Sequence, residues 1–66
     1  MAIVKVIEVI AEGDSVENAV SAAVDEASKT VRNIKTVYVK DIQAIVQNDK
    51  VTKYRIDAKV SFVVGQ

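Results

Sequence analysis

Residues 54–64 read Tyr54-Arg55-Ile56-Asp57-Ala58-Lys59-Val60-Ser61-Phe62-Val63-Val64. Tyr54, Ile56, Ala58, Val60, Phe62 and Val64 are apolar, and Arg55, Asp57, Lys59 and Ser61 between them are polar. Successive side chains of an extended chain point to opposite sides, so this alternation predicts a strand with one buried and one polar face. The chain's only Phe and one of its two Tyr stand on the apolar row. This strand is therefore expected to carry the core.

Working outward, Ala2 to Ala11 reads as a first strand, with β-branched Ile3, Val4, Val6, Ile7, Val9 and Ile10 interrupted only by Lys5 and Glu8. Its apolar residues fall on both faces, and such a strand needs cover on both sides. One helix shields one face of a small sheet, so the other face is expected to meet another copy or another protein. Glu12-Gly13-Asp14-Ser15 predicts a turn into a helix, in which Asp14 with Glu17 resembles a capping box and Ser15 competes as N-cap. Val16, Ala19, Val20, Ala23, Val24, Ala27 and Val31 then form an apolar stripe with the helical period. Asp25 and Lys29 are placed for an exposed pair on its outer face.

Lys29, Arg32 and Lys35 cluster around Asn33. They read either as cations complementing a helix C-terminus or as an anion contact. A second strand is expected from about Ile34 to Val46. Its apolar phase switches at Lys40-Asp41, which predicts a bulge or bend there. Gln47-Asn48-Asp49-Lys50 closes a hairpin, because Asn and Asp tolerate the left-handed conformation of a tight turn. Gly65-Gln66 reads as a frayed tail. The result is one α+β domain spanning residues 1–66.

Composition narrows the functional classes. A chain of 66 residues buries only about 60% of its unfolded surface, so a disulfide, a metal or self-association usually supplements such a domain. Without Cys there is no disulfide or thiolate metal site, and no sign of an oxidising compartment. Without His the commonest general base and transition-metal ligand is gone. Ser-His and Cys-His nucleophiles are thereby excluded, Gly13 and Gly65 are too isolated for a phosphate-cradling loop, and no enzyme is expected. Nine basic and nine acidic residues cancel, which argues against nucleic acid or an anionic membrane as partner. No apolar run approaches a membrane span and the N-terminus lacks a signal-peptide pattern, so a cytoplasmic location is expected. Self-association is the supplement that is left.

Asp41 is an acid in a mostly apolar strand beside the inferred bulge. It reads either as a solvated strand residue paired with a nearby cation, or as a carboxylate presented to a symmetry axis where copies of it hold a divalent cation.

The order strand, helix, long strand, hairpin, strand resembles the dodecins. The match runs without gaps from about Val4 to Val64. It is carried by Lys5-Val6-Ile7-Glu8-Val9-Ile10, by Ala27-Ser28-Lys29-Thr30-Val31-Arg32-Asn33-Ile34, and by Lys50-Val51-Thr52-Lys53-Tyr54-Arg55-Ile56 with Lys59-Val60-Ser61-Phe62. The resemblance implies a three-stranded antiparallel sheet wrapped around one helix, and twelve copies in a hollow shell of cubic symmetry. It also implies pairs of flavins, riboflavin or FMN, held at subunit interfaces for storage or sequestration without catalysis.

Two positions depart from the family. Where its flavin-clamping Trp would stand, this chain has Thr36, and where a Gln reads the ring edge it has Arg55. A Trp face provides a stacking platform that Thr lacks, and Arg donates hydrogen bonds but accepts none. Two readings follow. In one, Lys35, Thr36, Tyr38 and Arg55 bind flavin or another flat anionic ligand, with Tyr38 replacing the platform. In the other, which the substitutions favour, the homododecamer is a structural or sequestering shell without stacked flavin.

Overall fold

The computed structural model describes residues 2–65. Its elements are β1 (Ile3–Gly13), α1 (Val16–Ala27), β2 (Ile34–Gln47) and β3 (Lys50–Val64). The three strands form one antiparallel sheet in the order β1-β3-β2, with the helix packed on one face. The strand with the cleanest alternation is thus the central one. Ile56, Ala58, Val60 and Phe62 are buried under the helix, and Tyr54 and Val64 at the ends of the same row are half-buried.

Both faces of β1 follow from its pairing with β3. Ile7, Val9 and Ala11 lie opposite Val60, Ala58 and Ile56 on the helix side, while Val4, Val6, Glu8, Ile10 and Glu12 stand on the outer side. β1 runs two residues further than its apolar pattern predicts, through Glu12 and Gly13. Glycine is required at that end because the strand passes so close to the helix. A Cβ on Gly13 would lie 2.6 Å from the Ala19 backbone nitrogen.

The helix is capped by Ser15, whose hydroxyl accepts from the Asn18 backbone N–H at 3.0 Å. Glu17 is one position too early for the reciprocal half of a capping box, which needs an acid at the third helical residue. The stripe is deepest at Ala19, Ala23 and Ala27, with the valines half-buried at its flanks. Small side chains let the helix axis approach the sheet. Val31 lies beyond the last helical residue. Lys29 pairs with Glu26 at 3.1 Å instead of the expected Asp25.

The phase switch in β2 is a bulge, since the register shifts between Val39 and Asp41. One extra residue there returns Ile42 and Ala44 to the helix-side face that Val37 and Val39 already occupy. Two further shifts, at Ile34/Thr36 and Ile45/Val46, leave no comparable mark in the hydrophobic pattern. Asn48 (φ 52°) and Asp49 (φ 62°) form the two-residue left-handed turn, the type I′ geometry that matches strand twist. Gly65 also has a positive φ of 71°, while Gln66 of the expected tail lies outside the described residues.

A 12-residue helix reaches about 18 Å, whereas β3 with 15 residues reaches about 50 Å. The chain is accordingly a slab of 51 × 19 × 13 Å. Its radius of gyration is 13.6 Å, against about 11 Å for a compact domain of this length. Its accessible surface is 4784 Å², against about 4100 Å² for a folded monomer of this mass. Val4, Val6, Ile10 and Tyr38 on the outer face are each more than half exposed, as are Ile3, Ile42, Val46 and Val51.

Candidate functional site

The outer face is built in rows across the three strands. One row is Val6, Ser61 and Thr36; the next is Glu8, Lys59 and Tyr38; then come Ile10, Asp57 and Asp41; then Glu12, Arg55 and Gln43. Each row takes one residue from each strand, because directly opposed residues of an antiparallel pair share a face.

Thr36 turns its hydroxyl to the Ser61 hydroxyl, and Ser61 also donates to the Thr36 carbonyl at 3.4 Å. The position where a platform would stand therefore offers neither a ring nor a free hydroxyl. Tyr38 follows on the same face, 65% exposed. Lys35 is exposed at the first bulge of β2. Arg32 is occupied locally, donating to the Ser28 carbonyl at 2.9 Å and the Val31 carbonyl at 3.3 Å. That is the helix-terminal role, and Asn33 (φ 63°) then redirects the chain.

Arg55 is far from Thr36. Arg55 precedes Ser61, the partner of Thr36, by six positions on β3, which amounts to about 20 Å along the strand. Lys35, Thr36, Tyr38 and Arg55 therefore do not converge within one chain. They could meet around one ligand only if different copies supplied them.

Arg55 also has a partner that its type did not announce. Its Nε donates to Glu12 Oε2 at 2.8 Å, its Nη2 lies 2.6 Å from the same oxygen, and Lys53 Nζ lies 2.9 Å from Glu12 Oε1. Lys53 first and Arg55 second hold the Glu12 carboxyl below its usual value. Glu8 and Glu12 are four residues apart on β1 and so share its outer face. That spacing was the available signal for this triad, but only the pairing register identifies the cations opposite.

A second cluster sits beside it. Lys40, the bulge residue, reaches over the central strand to Glu8 Oε2 at 3.7 Å. The Glu8 carboxyl beside it, aided by burial, raises Asp57 above its usual value. The same proximity, with Lys40 second, lowers Glu8. Asp57 Oδ1 is shielded from water without a hydrogen-bond partner. Asp41 stands opposite Asp57 on β2 and is exposed. Among the described residues no group of three or more metal-ligating side chains forms.

These shifts have opposite consequences for stability. A carboxyl raised by folding contributes stability that is complete below its unfolded pKa and is lost as pH rises through the folded one. A lowered carboxyl, as in Glu8 and Glu12, contributes stability that is lost as pH falls through its folded value. Asp57→Asn keeps a donor toward Glu8 and removes the first effect. Its melting temperature is expected to gain a few degrees relative to the parent as pH rises from about 4 toward neutral. Parallel thermal melts check this; a difference independent of pH would contradict it.

Between the last two rows lies an open hollow of about 510 Å³ lined by Ile10, Asp41, Ile42, Gln43, Arg55 and Asp57, with Ile56 beneath. No helix among the described residues is long and apolar enough to cross a membrane.

The family described as Dodecin matches residues 3–65. The tt0972 protein of Thermus thermophilus superposes with a TM-score of 0.91 at 25% identity, over 100% of this chain and 98% of that one. Dodecin from Streptomyces coelicolor gives 0.89 at 26% identity, over 98% and 94%. Dodecin from Streptomyces davaonensis gives 0.88 at 17% identity, over 98% and 97%, and so speaks to the fold alone. No protein of curated function matches by sequence.

Proposed function

This chain belongs to the dodecin family, and from that premise we propose that twelve copies assemble into a hollow shell in the cytoplasm that stores or sequesters a small ligand without catalysis and without stacked flavin. The observation that carries assembly is the outer face, where Val4, Val6 and Tyr38 are 55–65% exposed and no element among the described residues covers them. Contiguous apolar surface of this kind marks a contact between proteins. Two observations support the absence of stacked flavin. Thr36 is bonded to Ser61, and Arg55 is held by Glu12. A divalent cation would need Asp41 from several copies around one axis, since no such group forms among the described residues of one chain.

The test is mass and colour. Sedimentation is expected to give a single species of about twelve times the 7.2 kDa chain. The purified protein is expected to be colourless and to leave riboflavin and FMN fluorescence unquenched at micromolar concentration.

One observation favours a second reading, flavin storage in a modified pocket: Tyr38 presents its ring on the same face, two residues beyond Thr36, and is 65% exposed. A yellow preparation that quenches added flavin would establish this alternative. Thr36→Trp separates the two. Restoring a stacking face worth about 1–3 kcal/mol per ring is expected to create flavin quenching where the parent shows none. A Thr36→Trp shell that stays intact and leaves fluorescence untouched would remove the assigned pocket from both readings.

A further inference from the structure

The hollow between the rows Ile10–Asp57–Asp41 and Glu12–Arg55–Gln43 has a sign that its lining residues alone do not reveal. Arg55 is the only cation among them. Its guanidinium is drawn toward β1 by one oxygen of Glu12, which accepts from Nε at 2.8 Å and lies 2.6 Å from Nη2, away from Gln43 on β2. Lys53, the next cation along the same face of β3, ends on the other oxygen of Glu12 at 2.9 Å. Lys40, beside Asp41 in sequence, is directed to Glu8. The cations at the Arg55 end of the hollow are thus engaged, while Asp41, Asp57 and, two residues beyond Asp57 on the same face, Lys59 make no ion pair among the described residues. An anion entering there would meet two carboxyls. It would also have to displace Glu12 from a charge-assisted, two-cation grip, the strong kind of hydrogen bonding. The apolar wall on that face, Ile10 (67% exposed), suits the body of a small organic molecule.

We infer that Glu12 is the specificity-determining residue of this hollow: by occupying Arg55 and Lys53 it excludes anionic ligands and leaves the site to small apolar-bodied molecules bearing a positive or uncharged proton-donating group. Glu12 touches no ligand itself; it acts through Arg55. This rests on the sequestering role proposed above for its purpose, but the sign of the hollow is a property of one chain.

A matched pair of probes tests it: benzamidine and benzoate share size and shape and differ in charge. On the full-length assembled protein, benzamidine is expected to shift the NMR signals of the Ile10 methyls and the Gln43 side-chain amide, and benzoate is not. Glu12→Gln releases Arg55 and Lys53, so the benzamidine-to-benzoate preference is expected to fall by about tenfold or more, a ratio set by the charge the site presents. Adding Arg55→Gln to that variant removes most of the benzoate gained. Arg55→Gln alone, independent of whether the first variant folds, moves the preference the other way, because Glu12 then faces Lys53 only. Benzoate binding the parent as tightly as benzamidine would overturn the assignment. A preference unchanged by Glu12→Gln, or neither probe moving these signals, would do the same. Mass measured on the same samples keeps the shell separate: a small species with the predicted preferences overturns the shell and leaves the role of Glu12 standing.

Discussion

Replacing Ile56 by alanine is expected to cost about 2–5 kcal/mol, most of the stability such a domain possesses. Ile56 is fully shielded at the centre of β3 and packs with Ala19 and Ala58 in the innermost cluster. The helix contributes only alanine at the closest approach, and the half-buried Val16, Val20, Val37 and Val39 at the margins of the cluster can fill the space only in part. A folded domain of this length holds about 3–10 kcal/mol in total. Ile56→Ala should therefore melt far below the parent or not fold at all. Ile42 is its neighbour across the hairpin and faces the same side, yet it is 57% exposed. Ile42→Ala should cost less than half as much. Chemical denaturation of the two variants compares them directly. Equal losses would mean that the helix does not define the core, or that Ile42 is covered in the assembly as fully as Ile56 is in the chain.

Val6→Asp is expected to abolish assembly. Val6 is 55% exposed on the outer face, opposite Ser61 and near Val4 and Ile10. Burying a valine between copies contributes about 1.5–3 kcal/mol. A carboxylate at the same place instead loses its hydration without a partner, at a penalty of several kcal/mol. In a closed shell the change is repeated in every copy. Sedimentation should show the large species replaced by small and partly unfolded ones, since the slab has too little core of its own. Val6→Ala should retain the assembly with reduced thermal stability. A Val6→Asp protein that sediments like the parent would remove the outer face from the interface.

Much of this was legible before any coordinates. The alternation of residues 54–64 identifies the central strand, and the Val/Ala stripe gives the helix. The phase break at Lys40-Asp41 gives the bulge, and Asn48-Asp49 the hairpin turn. Each is a local pattern whose period or turn chemistry belongs to a few consecutive residues. The doubly apolar β1 also announced a face that the helix could not cover. Capping was ambiguous because Asp14 and Ser15 are both competent, and only the helix start decides which is the N-cap. The pairing of Lys29 with Glu26 instead of Asp25 was equally out of reach, because both spacings permit an ion pair.

The candidate site was legible only as residue types. Thr36 in place of a ring, Arg55 in place of an amide, and the acid at Asp41 all stand in the sequence. That Thr36 spends its hydroxyl on Ser61, and that Arg55 and Lys53 converge on Glu12, follow from contacts between strands up to 43 residues apart in the chain. Sequence alone determined the elements, their order and the surplus of apolar β-surface, because periodicity and turn chemistry act over short range. Tertiary structure decided the register, and through it which charges cancel. A shift of one residue in the pairing of β1 with β3 would have set Glu12 beside other neighbours and left Arg55 without its carboxylate.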